Sequence, residues 1–411
     1  MKATAVKGTN DYLPREAALR DYLQSAILQV YQNSGFERIM TPAIEDAENL
    51  DKSEGGDNLN LIFKILKRGE KLTKALEGGN SGELADLGLR YDLTLPLSRY
   101  YAANRAKLLL PVKCIQIDKV YRAERPQKGR LREFVQCDID IIGSSSPCCE
   151  VELIATTAKA LLAIGIGAFT VRVNDRRLLR GVLQGLGFAP EALDSVCITF
   201  DKLDKIGPQG VSQELLEKGF PGETVERFSA LLSQGPVTLE QAVSLCADTE
   251  AAQSLTGILG QSQELAQGKY QVAFDLSLVR GQGYYTGTVF EVVSRDFRGA
   301  IAGGGRYDNL IGKFLGEQVP AVGFSIGFER IFSILSEQGF QIPGRKQRIA
   351  LLYDPQSFAA AYGKAESLRE KYDVALFERP KKTGKFLGRL QEEGVDGFLS
   401  YGQAEEPTIW E

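Results

Sequence analysis

Residues 119–143, KVYRAERPQKGRLREFVQCDIDIIG, constrain the fold more than any other stretch of the chain. From Leu131 onward they alternate. Val135, Cys137, Ile139 and Ile141 share one parity; Phe134, Gln136, Asp138 and Asp140 share the other. Successive side chains of a strand point to opposite faces, so this strand has one apolar face and one that carries an aromatic ring, an amide and two carboxylates. The apolar face belongs against packed helices. The polar face is too acidic for a core, yet Ile142 and the apolar set argue against an outer edge. Residues 114–122 also read as a strand, and the loop between the two carries Arg125, Lys128 and Arg130. The unit is therefore expected to be an antiparallel hairpin with a cationic tip and a cavity-lining polar face. The pattern alone also fits a half-exposed sheet with a solvated turn.

A chain of 411 residues has room for two to four domains with a substantial core. Its apolar runs are short and interrupted, so no membrane span is expected. The N-terminal MKATAVKGTNDYLPRE lacks the apolar core of a signal peptide, and a cytoplasmic location is the expectation. The six cysteines form no C-x-x-C pair and there is no histidine, so no structural metal is expected. The same absence excludes an imidazole base or nucleophile. A net charge of −4 does not announce a nucleic-acid binder. Basic clusters at 64–74, 122–132 and 379–385 carry that possibility locally, and each also reads as a solvated face.

Around the hairpin, apolar periodicity predicts a helix over 15–34, with Leu19, Leu23, Ile27 and Tyr31 four apart and Gly35 ending it. GFERIMTPAIED reads as a strand broken at Pro42, hence at an edge or interface. Residues 58–70 turn from apolar to basic, and 76–86 read as a loop. A strand is predicted over 87–94, then a helix with Pro96 in its first turn. Asp92 and Thr94 share a face there, and Thr94 equally reads as a helix cap. A helix over 150–164 and a strand over 169–173 follow. Residues 176–267 are helical in pattern, with Gly/Pro breaks at 207–210 and 219–222 and no chemical motif. Strand character returns over 270–293, where RGQG separates two apolar strands with Arg280 at its mouth. AIAGGGRYD, at 300–308, permits positive φ and close backbone approach to a ligand; it matches no Walker loop or G-x-G-x-x-G, so a phosphate site here is of another kind. Residues 319–335 read as a strand of small residues, then a helix with Arg330 near its start. After the linker IPGRKQ, strands at 349–353, 374–377 and 397–401 alternate with helices at 357–371 and 383–393, a small parallel sheet.

YRAERPQKGRLREFVQCDIDIIG resembles motif 2 of class II aminoacyl-tRNA synthetases, in the form worn by histidyl-tRNA synthetases. The Pro42 segment resembles motif 1, which builds the dimer interface in that class, and 319–335 resemble motif 3. RGQGYYTGTVFE resembles the histidine-specific motif, with Gln282 and Gly283 replacing the commoner Leu-Asp. The resemblance implies an α+β fold: an antiparallel class II sheet flanked by helices, a helical insertion, and a small C-terminal α/β domain. The implied division is catalytic domain at 1–175 and 268–340, insertion at 176–267, and an anticodon-binding-like domain at 346–411. That last domain is shorter than the family's usual form and carries Lys381, Lys382 and Lys385 beside a helix start.

The implied activity is ligation of histidine to tRNA(His), with ATP, accompanied by Mg²⁺, consumed through a histidyl-adenylate and with a homodimer as the working unit. By resemblance, Arg122 and Arg280 are catalytic and clamp the α-phosphate and the substrate carboxylate. Phe134 and Glu124 hold adenine; Arg130 and Arg330 serve ATP, Arg330 at the γ-phosphate. Asp92, Leu93, Thr94 and Gln136 surround the substrate ammonium. Asp140 and Tyr285 meet the imidazole nitrogens, walled by Tyr284 and Tyr307. Arg125, Gln127 and Lys128 reach the tRNA acceptor stem. Two other readings compete: the synthetase-like regulatory subunit of ATP phosphoribosyltransferase, which charges no tRNA, and a non-enzymatic RNA-binding relative. The loop ERPQKGR, together with the three arginines 122, 280 and 330, argues against both.

Overall fold

The computed structural model describes residues 3–52, 61–125, 130–279 and 284–410. It divides into two compact units, Met1–Phe340 and Gln341–Glu411.

The first unit opens with α1 (Pro14–Asn33), whose stripe of Leu19, Leu23, Ile27 and Tyr31 is buried as the four-residue spacing predicts. The next segment breaks at Pro42 into β1 (Glu37–Arg38) and β2 (Ile44–Asp46), followed by α2 (Ala47–Lys52). Then come β3 (Lys64–Leu66), α3 (Glu70–Glu77), β4 (Ala85–Leu89) and α4 (Thr94–Asn104). The strand expected over 87–94 ends at Leu89, because the buried Asp92 carboxylate accepts from the Leu95 amide and starts α4. The hairpin follows as β5 (Val112–Tyr121) and β6 (Glu133–Ile142), antiparallel along ten residues each. After it lie α5 (Cys148–Ala163) and β7 (Phe169–Asp175).

Six helices occupy the stretch expected to be helical: α6 (Arg176–Gly185), α7 (Leu193–Phe200), α8 (Leu203–Glu217), α9 (Gly222–Ser233), α10 (Leu239–Leu245) and α11 (Thr249–Ala266). The chain returns as β8 (Gln271–Phe274), β9 (Thr288–Ser294), β10 (Ala300–Arg306), α12 (Gly312–Leu315), β11 (Ala321–Gly327) and α13 (Phe328–Glu337).

The main sheet has eight strands in the order β1-β5-β6-β11-β10-β9-β7-β8. Its pairings are antiparallel except β1 with β5 and β7 with β8, which are parallel. The expected apolar face of β6 is buried and lies against α1, α5 and α13. The strands flanking RGQG are not neighbours, since β7 inserts between β8 and β9, and the first of them stops at Phe274. The glycine run of β10 is a strand interior, and none of Gly303, Gly304 and Gly305 has a positive φ. Close approach is the reason for glycine here. A Cβ on Gly304 would lie 2.0 Å from the carbonyl oxygen of Gly323 on β11.

The second unit contains β12 (Arg348–Tyr353), α14 (Phe358–Leu368), β13 (Asp373–Glu378), α15 (Thr383–Glu392), β14 (Gly397–Ser400) and β15 (Thr408–Ile409). β13, β12 and β14 are parallel, as the alternation predicts, and the unforeseen β15 adds antiparallel to β14. Ile349, Leu351 and Leu399 pack with Ala361, Ala365 and Leu368 in one small core. Ala350, Leu390 and Val395 form another. Among the described residues, no helix is long and apolar enough to cross a membrane.

Candidate active site

The polar parity of β6 lines a cavity of about 340 Å³; Phe134, Gln136, Asp138 and Asp140 all face it, and none of Val135, Cys137, Ile139 or Ile141 does. The neighbouring strands are worn down to make room. A Cβ on Gly323 of β11 would sit 2.0 Å from Asp140 Oδ1, and one on Gly305 of β10 would sit 2.8 Å from the Tyr285 ring. The bare backbone of these strands is thus the floor, and β6 supplies the functional groups.

Of the residues singled out in the sequence, Asp92, Thr94, Arg122, Glu124, Arg130, Phe134, Gln136, Asp140, Tyr284, Tyr285, Tyr307 and Arg330 converge on this one cavity. They come from stretches more than two hundred residues apart. Leu93 does not join them. Its side chain is fully buried in the core, and its carbonyl accepts from Gln116 Nε2 at 2.9 Å. Arg125 is exposed and off the cavity wall. Gln127, Lys128 and Arg280 lie outside the described residues.

At one end of the cavity the Arg122 guanidinium stands 5.1 Å from the centre of the Phe134 ring and donates through Nε to the Tyr91 carbonyl at 3.0 Å. Glu124 lies 3.9 Å from Arg122 and 3.5 Å from Arg130. Ring, cation and carboxylate together form a slot for a flat, polar-edged group beside an anion.

The other end is acidic and aromatic. Tyr307 donates to Asp140 Oδ1 at 2.6 Å, which leaves the second carboxylate oxygen for a ligand. Tyr284 packs edge-on against both Tyr285 and Tyr307. Burial pushes the Asp140 carboxyl up to about 7, with repulsion from Asp92 adding to it and the Tyr307 hydrogen bond opposing it. Burial also raises Asp92, against the Leu95 amide and Arg122. Asp138 is pushed well above the usual carboxylate range by burial and then by Asp140. Three buried carboxyls crowd one pocket, which suits a ligand that brings positive charge and several N–H donors.

The third wall comes from the start of α13. Arg330 faces the cavity, donates to the Ala300 carbonyl and lies 5.8 Å from the Phe297 ring. Glu329 beside it is gripped by Arg20 of α1 through two bonds of 2.6 and 2.8 Å, and it accepts from the Val135 amide. This brace ties α1, β6 and α13 together. A second buried pair, Arg306 with Glu150 at 2.7 and 2.8 Å, anchors the end of β10 just before Tyr307. Periodicity showed neither brace, because each joins residues far apart in the chain. Asp138 is legible by parity as a cavity residue, and no motif assigns it a role.

A mostly antiparallel sheet that holds an arginine on an aromatic ring, a glycine floor and an arginine at the start of a closing helix is the catalytic core of a class II synthetase. The family model for histidyl-tRNA synthetase matches residues 8–331. A histidine–tRNA ligase of Leifsonia xyli subsp. xyli is 40% identical, covering 99% of this chain and 96% of that protein. Another from Bacteroides fragilis is 38% identical, covering 80% of this chain and 76% of the relative. The crystal structure of histidyl-tRNA synthetase from Nostoc sp. PCC 7120 superposes with a TM-score of 0.79 at 27% identity, over 97% of this chain and 91% of that one. The chain belongs to the histidyl-tRNA synthetase family. A Bacillus halodurans structure described as an ATP phosphoribosyltransferase regulatory subunit/histidyl-tRNA synthetase shares the fold, with a TM-score of 0.79 at 21% identity.

Proposed function

We infer that this chain is a histidine–tRNA ligase. It activates L-histidine with ATP and passes the histidyl group to the 3′ end of tRNA(His). The observation that carries the reading is the pairing of two unlike pocket ends on one strand face: an arginine and ring slot at Phe134, and an acidic tyrosine pocket at Asp140. Full-length similarity to ligases supports the same reading over the regulatory-subunit alternative.

In the first step a carboxylate oxygen of histidine attacks the α-phosphorus, the bond to the β-phosphate oxygen breaks, and pyrophosphate leaves. In the second, a terminal ribose hydroxyl attacks the acyl carbon and AMP leaves. Neither step asks for an imidazole base; positioning and charge stabilisation do the work. Arg122 stabilises charge on the α-phosphate, with Arg280 as its counterpart by family resemblance. Phe134 stacks on adenine, Glu124 takes its amino group, and Arg130 and Arg330 hold the outer phosphates. ATP enters with Mg²⁺, an ion that keeps water and phosphate oxygens as ligands and needs only one or two protein carboxylates. It would be carried by the phosphates, with no protein residue assigned to it. Asp92, Thr94 and Gln136 receive the substrate ammonium, and Asp140 and Tyr285 take the imidazole nitrogens. A pocket that bonds both ring nitrogens rejects an analogue lacking them by about 10⁴-fold. Arg125, Gln127 and Lys128 serve the tRNA. A cytoplasmic homodimer is the form in which the chain works.

Histidine-dependent ATP–pyrophosphate exchange, followed by charging of tRNA(His), tests the reading. Exchange with histidine alone among the amino acids is the expected result. No exchange with any amino acid overturns the ligase assignment in favour of a non-charging regulatory subunit.

A further inference from the structure

Asp138 is the one buried carboxylate of the cavity that has no part in the scheme above. It lies on β6 between Gln136 and Asp140, with Gln116 of β5 and Ser325 of β11 as its cross-strand neighbours. Gln116 is turned elsewhere, accepting from Thr41 Oγ1 at 3.1 Å and donating to the Leu93 carbonyl. Ser325 is the link. Its hydroxyl accepts from Gln136 Nε2 at 3.3 Å, stands opposite Asp138 in the β6–β11 pairing, and offsets part of the upward push on that carboxyl. A hydroxyl has one proton, so a serine that accepts from the glutamine keeps that proton for the aspartate opposite it.

This row leaves two acceptors over. Gln136 Oε1 and Asp138 Oδ1 are both buried, and among the described residues neither has a hydrogen-bond partner. A buried acceptor without a donor costs free energy, and a buried carboxylate oxygen costs more. The two belong to residues that alternate on the same strand face, and both residues line the cavity. What satisfies them is a compact cation with more than one N–H to give. An ammonium group has three such donors.

We propose that Asp138 is a specificity-determining residue, its free Oδ1 joining Gln136 Oε1 in accepting from the α-ammonium group of the amino acid. The inference rests on the reading of the chain as a histidine–tRNA ligase. Burial disfavours charge on Asp138, and repulsion from Asp140 adds to it. An amino acid that brings an ammonium group to Asp138 relieves that repulsion, and its imidazole then meets an ionised Asp140. Recognition of the two ends of histidine is thereby coupled through one strand. Ser325 is a positioning residue that fixes which oxygen of Asp138 faces the ligand.

The test compares L-histidine with 3-(imidazol-4-yl)propionate, which keeps the ring and carboxylate and lacks the amino group. Both are titrated calorimetrically into the full chain and into Asp138→Asn. Losing one charge-assisted hydrogen bond should weaken histidine about 10- to 100-fold. The desamino analogue should change by less than about threefold, and the histidine KM in exchange should rise while the ATP KM holds. Ser325→Ala keeps the charge and removes its anchor, so it should give the same asymmetry at smaller size, and it serves if Asp138→Asn does not fold. Equal weakening of both ligands, or unchanged histidine binding in a folded variant, overturns the inference and leaves the ligase reading standing. A wild type that neither binds histidine nor exchanges overturns both.

Discussion

At the scale of single residues, Asp140 carries the sharpest expectations. Its carboxyl ionises at about 7 in the fold because burial disfavours the charge, against an ordinary value of 3.8. Between those two values the folded chain holds a proton that the unfolded chain has lost. Stability therefore falls as pH rises through that window and recovers as pH is lowered. At about 1.4 kcal/mol per unit the loss by about pH 8 is at most on the order of 4 kcal/mol. Asp140→Asn has no such proton, so its melting temperature should fall less than that of wild type between about pH 5 and pH 8 and should exceed it at the alkaline end. Parallel melting curves would show that the carboxyl is ordinary. The same variant should lose about 10²- to 10³-fold in kcat/KM for histidine, because an amide is a poor substitute for an acceptor aimed at a ring nitrogen. Arg122→Lys keeps the charge and loses the planar fork over Phe134. Single-turnover adenylate formation at saturating ATP and histidine should slow at least 10-fold, and an unchanged rate would remove Arg122 from the chemistry.

At the scale of elements, β6 works only because β10 and β11 are bare beside it. Gly323→Ala puts a methyl where Asp140 Oδ1 stands. A carboxylate is able to swing away, so the expected loss is histidine activation, about 10²-fold in kcat/KM, with little change in melting. Gly304→Ala meets the backbone of β11 instead, which cannot yield. That variant should melt well below wild type, and comparison of the two by thermal denaturation and exchange kinetics separates floor from site. The loop after β5 makes a different claim. Arg125→Ala and Lys128→Ala should spare pyrophosphate exchange and slow tRNA charging, and equal loss of both activities would assign the loop to ATP. The polar face of β6, the α1 stripe and the C-terminal alternation were legible because local periodicity reports which face of an element is buried. What escaped was non-local. Pairing of β6 with β11, insertion of β7 between β8 and β9, and the Arg20–Glu329 and Arg306–Glu150 braces each join segments that no local period connects. The glycine run of β10 read as positive φ and close approach to a ligand; the φ values are not positive, and at Gly304 the close neighbour is the backbone of β11, a pairing no local pattern reveals.

At the scale of the whole molecule, the small sheet of β2, β4 and β3 bears on assembly. One of its faces is packed: Gly88 sits against Leu50 and Ile62, and Glu45 is buried in a two-bond pair with Arg99. Its other face is mainly apolar, with Asp46 beside Leu87, and is partly exposed. Cross-strand register brings Ile44 beside Leu89 and Ile65 beside Leu87, with Ile44 51% exposed. Met40, on the segment just before β2, is 74% exposed. Exposed apolar side chains gathered on one sheet face mark an interaction face. The segment resembles motif 1, and a second copy related by a two-fold axis would cover the face with its own equivalent. The homodimer proposed here should therefore appear in sedimentation at micromolar concentration. Ile44→Lys combined with Leu87→Lys should convert it to a monomer. Since both side chains are exposed in the protomer, the substitutions should leave its secondary structure intact, so dissociation and unfolding are distinguishable by circular dichroism. Activity should fall with the dimer, because α2 packs on this sheet and the chain runs from β4 directly into Asp92 and Thr94 of the cavity. A wild-type chain that sediments as a monomer, or a lysine variant that remains a dimer, would move the interface elsewhere and leave the apolar face of this sheet to another partner.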